Sequence, residues 1–112
     1  MVDIAEVPSV LSLIDSRDAA RYRGEIEPID AKAGHIPGAK NYFYKLNFND
    51  DGTFKNPEIL QKSFDFLKEN PNSTFYCGSG VSACVNILAS HVAGFRDVKL
   101  YAGSWSEWIR NN

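Results

Sequence analysis

The chain has 112 residues, of which 44% are hydrophobic, 23% charged and 12% aromatic. That is enough apolar material for one packed domain, expected over 1–112, and too little chain for a second core. Twelve basic against fourteen acidic residues give a net charge of −2, which excludes a basic footprint for nucleic acid or an anionic membrane. No run of about 18 apolar residues is present, and the acidic start Met1-Val2-Asp3-Ile4-Ala5-Glu6 has neither half of a signal peptide. Two cysteines, Cys77 and Cys84, suggest thiols in a reducing, cytoplasmic setting. Neither they nor His35 and His91 fall at metal-ligand spacing, so no metal is expected.

Short apolar runs alternate with helical patterns along the chain. Val10 to Ile14 reads as a buried strand ending at Asp15. Asp18 to Tyr22 follows as a short helix stopped near Gly24. Residues 25–38, with Pro28, Gly34, Pro37 and Gly38, read as an ordered loop. Ala39 to Phe43 is a second strand, and Asn49-Asp50-Asp51-Gly52 a turn.

Asn56 can cap the next helix, with Pro57 at its first position and Glu58 near its positive end. Leu60, Phe64 and Leu67 share its apolar face, and Asn70-Pro71 stops it. Ser73 to Tyr76 is a strand that delivers Cys77. The strongest helical stripe then runs through Val81, Cys84, Val85, Leu88, Ala89 and Val92, which assigns Cys84 to the core. Gly94 ends that helix. Val98 to Tyr101 is a further strand, and Ser104-Trp105-Ser106-Glu107 has the form of a capping box opening a terminal helix. Strands separated by helices imply an α/β fold with a central, mainly parallel sheet flanked by helices on both faces.

The chemistry points to Tyr76-Cys77-Gly78-Ser79-Gly80-Val81-Ser82-Ala83. A cysteine at the carboxyl end of a parallel strand sits where such sheets place ligands. The glycines let the backbone curl so that N–H groups converge, and the following helix adds its positive end. Such a ring favours a thiolate or a bound anion. The G-x-G-x-x-A spacing also suggests a nucleotide loop. The strand after this helix, however, ends in Leu100-Tyr101-Ala102-Gly103, without the acidic residue that would bind a ribose. A cysteine phosphatase needs an arginine six residues after its nucleophile, where this chain has Ala83. Without that cation or a metal a phosphoryl transition state goes unstabilised.

Cys77-Gly78-Ser79-Gly80-Val81-Ser82 resembles the six-residue active loop of rhodanese-type sulfurtransferases, in the variant typical of 3-mercaptopyruvate sulfurtransferases. The resemblance covers nearly the whole chain. Leu13-Ile14-Asp15-Ser16-Arg17 is similar to the family's first strand and D-x-R turn, and Gly34 to Ala39 to its G-H-I-P-G-A segment. Leu100 to Trp108 is similar to its C-terminal signature. More narrowly, the chain resembles the C-terminal catalytic domain of tandem-domain members.

The resemblance implies that Cys77 takes the outer sulfur of a small donor, 3-mercaptopyruvate or thiosulfate, as a persulfide, and passes it to cyanide, a small thiol or a protein thiol, without a dissociable cofactor. It implies substrate-binding roles for Gly78, Ser79, Gly80, Val81, Ser82 and Arg21. A further family arginine has no counterpart in Glu27 to Lys32, where Lys32 is the remaining cation. Asp15, Arg17 and His35 are expected to be structural, and Trp105 and Trp108 to cover the core. Tandem relatives close their site with another domain, so the resemblance implies either a Cys77 pocket open to bulky acceptors or its covering by another domain or chain. A non-enzymatic protein-binding or persulfide-carrier module is the alternative reading.

Overall fold

A computed structural model describes residues 1–29, 31–78 and 81–112. Among these, four parallel strands form one sheet in the order β2-β1-β3-β4: β1 is Leu13–Asp15, β2 Lys40–Asn41, β3 Thr74–Tyr76 and β4 Lys99–Leu100. The register pairs Ile14 with Phe75 and Asp15 with Tyr76, so both central strands end at the same level. The helices are α1 (Ala19–Tyr22), α2 (Pro57–Ser63), α3 (Val81–Val92) and α4 (Ser104–Asn111), with 3-10 turns at Val7–Ser9, Tyr44–Asn47 and Asp65–Lys68. The expected α/β class and parallel sheet are present.

Alternation along the strands divides the core into two layers. Ile14, Phe75 and Cys77 face Leu60, Phe64, Leu67 and the small residues of α3. Leu13 and Tyr76 face Ile36, Ala39, Tyr101 and Trp105 on the other side. The predicted cap of α2 forms, the Asn56 side chain accepting from the Ile59 N–H at 2.9 Å, but the α-helix stops at Ser63 and the chain goes on past Phe64 as the Asp65–Lys68 3-10 turn; Leu60, Phe64 and Leu67 are all buried across the two.

Three local expectations change. The first strand begins only at Leu13, and Leu11 is fully exposed; residues 7–9 form a 3-10 turn, and the Val2 N–H instead bonds the β4 edge at Leu100 O, 2.8 Å. The stripe predicted to be the inner face of α3 is largely outside. Val81 is 74%, Leu88 54% and Val92 42% exposed, and Cys84 is exposed too, rather than being a core thiol. The buried face is Ala83, Asn86, Ala89 and Ser90. Small side chains let the helix lie close to the sheet, and its orientation satisfies the buried Asn86 amide. That amide donates to Ser16 Oγ and Tyr42 O, both at 2.9 Å, and accepts from Asn47 Nδ2 at 2.7 Å. Turning it to the stripe's orientation would strip those bonds from buried groups. The third change concerns the capping box: Gly103 is the N-cap of α4 and Ser104 makes no cap bond there.

Candidate active site

The site is assembled at the carboxyl ends of β1, β2 and β3. Cys77 leaves β3 buried, and the start of α4 holds its backbone. The Cys77 N–H donates to Ser104 Oγ at 3.0 Å, while the N–H groups of Trp105 and Ser106 donate to the carbonyls of Cys77 and Gly78, each at 2.9 Å. The Ser104 hydroxyl donates onward to Tyr101 O at 2.9 Å. Ser104 adopts φ 55°, the left-handed region that a non-glycine residue occupies at some cost. That conformation accompanies a hydroxyl turned to the Cys77 amide instead of to α4's own amides.

Opposite lies the β1 exit. Asp15 accepts from the Arg17 backbone N–H at 2.9 Å and from its guanidinium at 2.6 Å, and both residues are buried. Arg17 also reaches Glu27 and Gly34 O, and its guanidinium lies 5.2 Å from the Trp105 ring centroid. Burial opposes its charge, but the hydrogen bond and the charge of Asp15 outweigh burial and raise its pKa. This pair braces the turn, as expected of a structural D-x-R. His35 stacks on Tyr22 at 4.0 Å, with Nδ1 2.7 Å from Tyr22 O, which likewise fits a structural role. Trp105 is buried and its Nε1 donates to Lys32 O at 2.8 Å.

Between these walls is a cavity of about 280 Å³. Of the residues expected at the site, Cys77, Gly78, Ser82 and Arg21 line it together. Arg21 enters from α1, where Asp18 accepts its backbone N–H at 2.9 Å, and pairs with Glu27 at 3.1 Å. Val81 heads α3 and is not among the lining residues; Ser79, Gly80 and Asp30 lie outside the described residues. Lys32 does not line the cavity: its Nζ donates to Asn112 O at 3.2 Å.

Sequence reasoning missed Lys45, Tyr44 and Ser106, which also line the cavity, and Ser104 behind Cys77. Lys45 lies four residues past β2, in the turn beyond the carboxyl end of a parallel strand, where ligands bind; that position was its available signal. A second cavity, about 350 Å³, lies at the other end of the strands near Ser12 and Asn70–Thr74 and contains no cysteine.

Comparison with known proteins gives a consistent result. The rhodanese-like domain family model matches residues 3–111. The Pseudomonas aeruginosa protein named "Probable 3-mercaptopyruvate sulfurtransferase" is 51% identical over 102 residues, covering 88% of this chain and 36% of its own. Chicken (Gallus gallus) thiosulfate sulfurtransferase is 38% identical over 99 residues, covering 87% of this chain and 34% of its own. The chain therefore spans about a third of the length of these relatives. The solved structure of 3-mercaptopyruvate sulfurtransferase from Leishmania major superposes with a TM-score of 0.81 at 31% identity, covering 98% of this chain and 32% of that one. With a parallel sheet that delivers Cys77 into a cation-lined cavity and a family match from residue 3 to 111, the chain belongs to the rhodanese-like domain family.

Proposed function

We propose that the protein is a sulfurtransferase and that Cys77 is its sulfur carrier. The observation that carries this reading is the placement of Cys77 at the carboxyl end of β3, in one cavity with Arg21 and Lys45. A thiolate there can attack the outer sulfur of an anionic donor. With thiosulfate, a new S–S bond forms at Cys77, the donor's S–S bond breaks, and sulfite leaves with the bonding pair. With 3-mercaptopyruvate, the C–S bond breaks and the enolate of pyruvate takes up a proton. In either case the Cys77 persulfide then gives its outer sulfur to a thiol or cyanide, and the thiolate returns.

Gly78 and Ser82 border the sulfur's position, and Arg21 offers a guanidinium to the donor's carboxylate or sulfonate. Names of both donors occur among the relatives, so the two substrates are compared directly. The purified protein is incubated with each donor, its intact mass recorded, and turnover measured with cyanide and with a thiol. Gain of one sulfur atom by the wild type, its absence in Cys77→Ser, and turnover with an acceptor are expected. An adduct retained in Cys77→Ser, or none in the wild type, overturns the reading. An adduct without turnover by any small acceptor favours a persulfide-carrier module instead.

A further inference from the structure

We infer that Lys45 is the cation that draws the anionic end of the donor into the Cys77 cavity, a specificity residue for the reaction proposed above, on which this inference rests. The argument begins with charge. Among the described residues, three cations line the cavity: Arg17, Arg21 and Lys45. Arg17 is held by Asp15 and Glu27, and Arg21 is paired with Glu27. Lys45, by contrast, makes no ion pair or side-chain hydrogen bond with any described residue. Asp18, the one carboxylate lining the cavity among the described residues, accepts the Arg21 backbone N–H at the start of α1. Among the described residues, Asp15, Asp18 and Glu27 stand against the three cations, and Lys45 brings that set to neutrality. Removing it leaves one excess negative charge facing an anionic donor and an anionic sulfur.

The position of Lys45 is also fixed. It sits on the Tyr44–Asn47 turn, whose Tyr44 N–H donates to Ser16 O at 3.0 Å and whose Lys45 carbonyl accepts from the Phe48 N–H at 3.1 Å. The buried Asn47 donates to the buried Asn86 of α3 at 2.7 Å, and Asn86 donates to Ser16 Oγ at 2.9 Å. The turn is therefore tied both to the β1 exit and to the helix that follows the Cys77 loop. The lysine's flexible four-carbon stem extends from this anchored backbone, so its ammonium can settle on a bound anion while its base stays at the rim.

Such a group binds the donor's carboxylate or sulfonate in the ground state as much as in the transition state. Loss of it is therefore read in KM rather than kcat. Lys45→Gln is expected to raise the donor KM about tenfold with kcat within about twofold, as for the loss of one charge-assisted contact. Lys45→Glu raises it further, and Lys45→Arg restores it. Raising ionic strength weakens donor binding in the wild type and less so in Lys45→Gln.

A second measurement does not depend on sulfur transfer. Cys77 is alkylated with iodoacetate, an anion, and with neutral iodoacetamide, and its modification is followed by peptide mass spectrometry so that Cys84 does not interfere. The iodoacetate-to-iodoacetamide rate ratio at Cys77 falls about tenfold in Lys45→Gln and recovers in Lys45→Arg. An unchanged ratio with unchanged KM overturns the inference, as does a kcat loss with KM unchanged. A wild type that never accepts sulfur, yet shows the fall in ratio, overturns the sulfurtransferase reading and leaves the anion site standing.

Discussion

The Ser104 hydroxyl accepts the backbone N–H of Cys77 at 3.0 Å and donates to Tyr101 O at 2.9 Å, joining the end of β4 to the residue that carries the thiol. Ser104→Ala leaves a buried N–H without its acceptor, at a cost of about 1–3 kcal/mol. Ser104→Gly loses the same bond but relieves the φ of 55°, so it is less destabilised than the alanine variant. Both are expected to lower donor turnover, because the Cys77 amide is released. Urea unfolding together with turnover checks this; an unfolding midpoint unaltered by Ser104→Ala contradicts it.

The orientation of α3 makes opposite demands on neighbouring positions. Leu88 is more than half exposed and Ala89 is fully buried against the core. Leu88→Gln is expected to change stability by no more than about 0.5 kcal/mol, while Ala89→Leu costs about 1–3 kcal/mol by overpacking. The inner-face stripe suggested by hydrophobic spacing implies a severe penalty at Leu88. Unfolding free energies of the two variants decide between the orientations.

Tyr76 couples stability to alkaline pH. Burial, followed by the negative charge of Asp15, pushes its phenol pKa far above the ordinary value of 10.0. The folded chain thus keeps a proton that the unfolded chain loses above about pH 10, so the contribution is complete below that pH and declines as pH rises. Tyr76→Phe removes this dependence, so its stability should fall less steeply between pH 10 and 11.5, the difference in slope growing toward about 1.4 kcal/mol per pH unit. At neutral pH the variant is the weaker protein, since Tyr76 Oη accepts the Ile36 N–H at 3.1 Å. Tyr101, whose pKa is also raised, is present in both proteins and does not affect the difference. Denaturant titrations across this range measure it, and parallel curves would refute it.

Legibility followed how local each feature is. Asn56 and Pro57 announce α2, and Leu60, Phe64 and Leu67 are buried as their spacing suggests, although the last two follow the α-helix, at its C-cap and in a 3-10 turn. Capping and periodicity act within a few residues, so they are visible in a linear chain. Asp15 and Arg17 are two residues apart and pair as expected. The orientation of α3 was not legible, because it turns on Asn86 meeting Ser16 and Asn47, 70 and 39 residues away. An asparagine in a helical stripe reads as an outer residue until the fold supplies partners that make its burial favourable.

The candidate site divides in the same way. The sequence alone determined that Cys77 follows a strand, precedes a glycine-containing stretch and a helix, and so stands at the carboxyl edge of a parallel sheet. Arg21 was legible through its family motif. Only the tertiary structure decided that Lys45 shares the cavity with Cys77, that Lys32 does not line it, and that Ser104 serves the Cys77 amide rather than capping α4. The physical reason is that a charge or hydroxyl has no preferred partner in an isolated segment. Its role is set by whichever buried donor or unbalanced charge the packing of distant elements brings within reach.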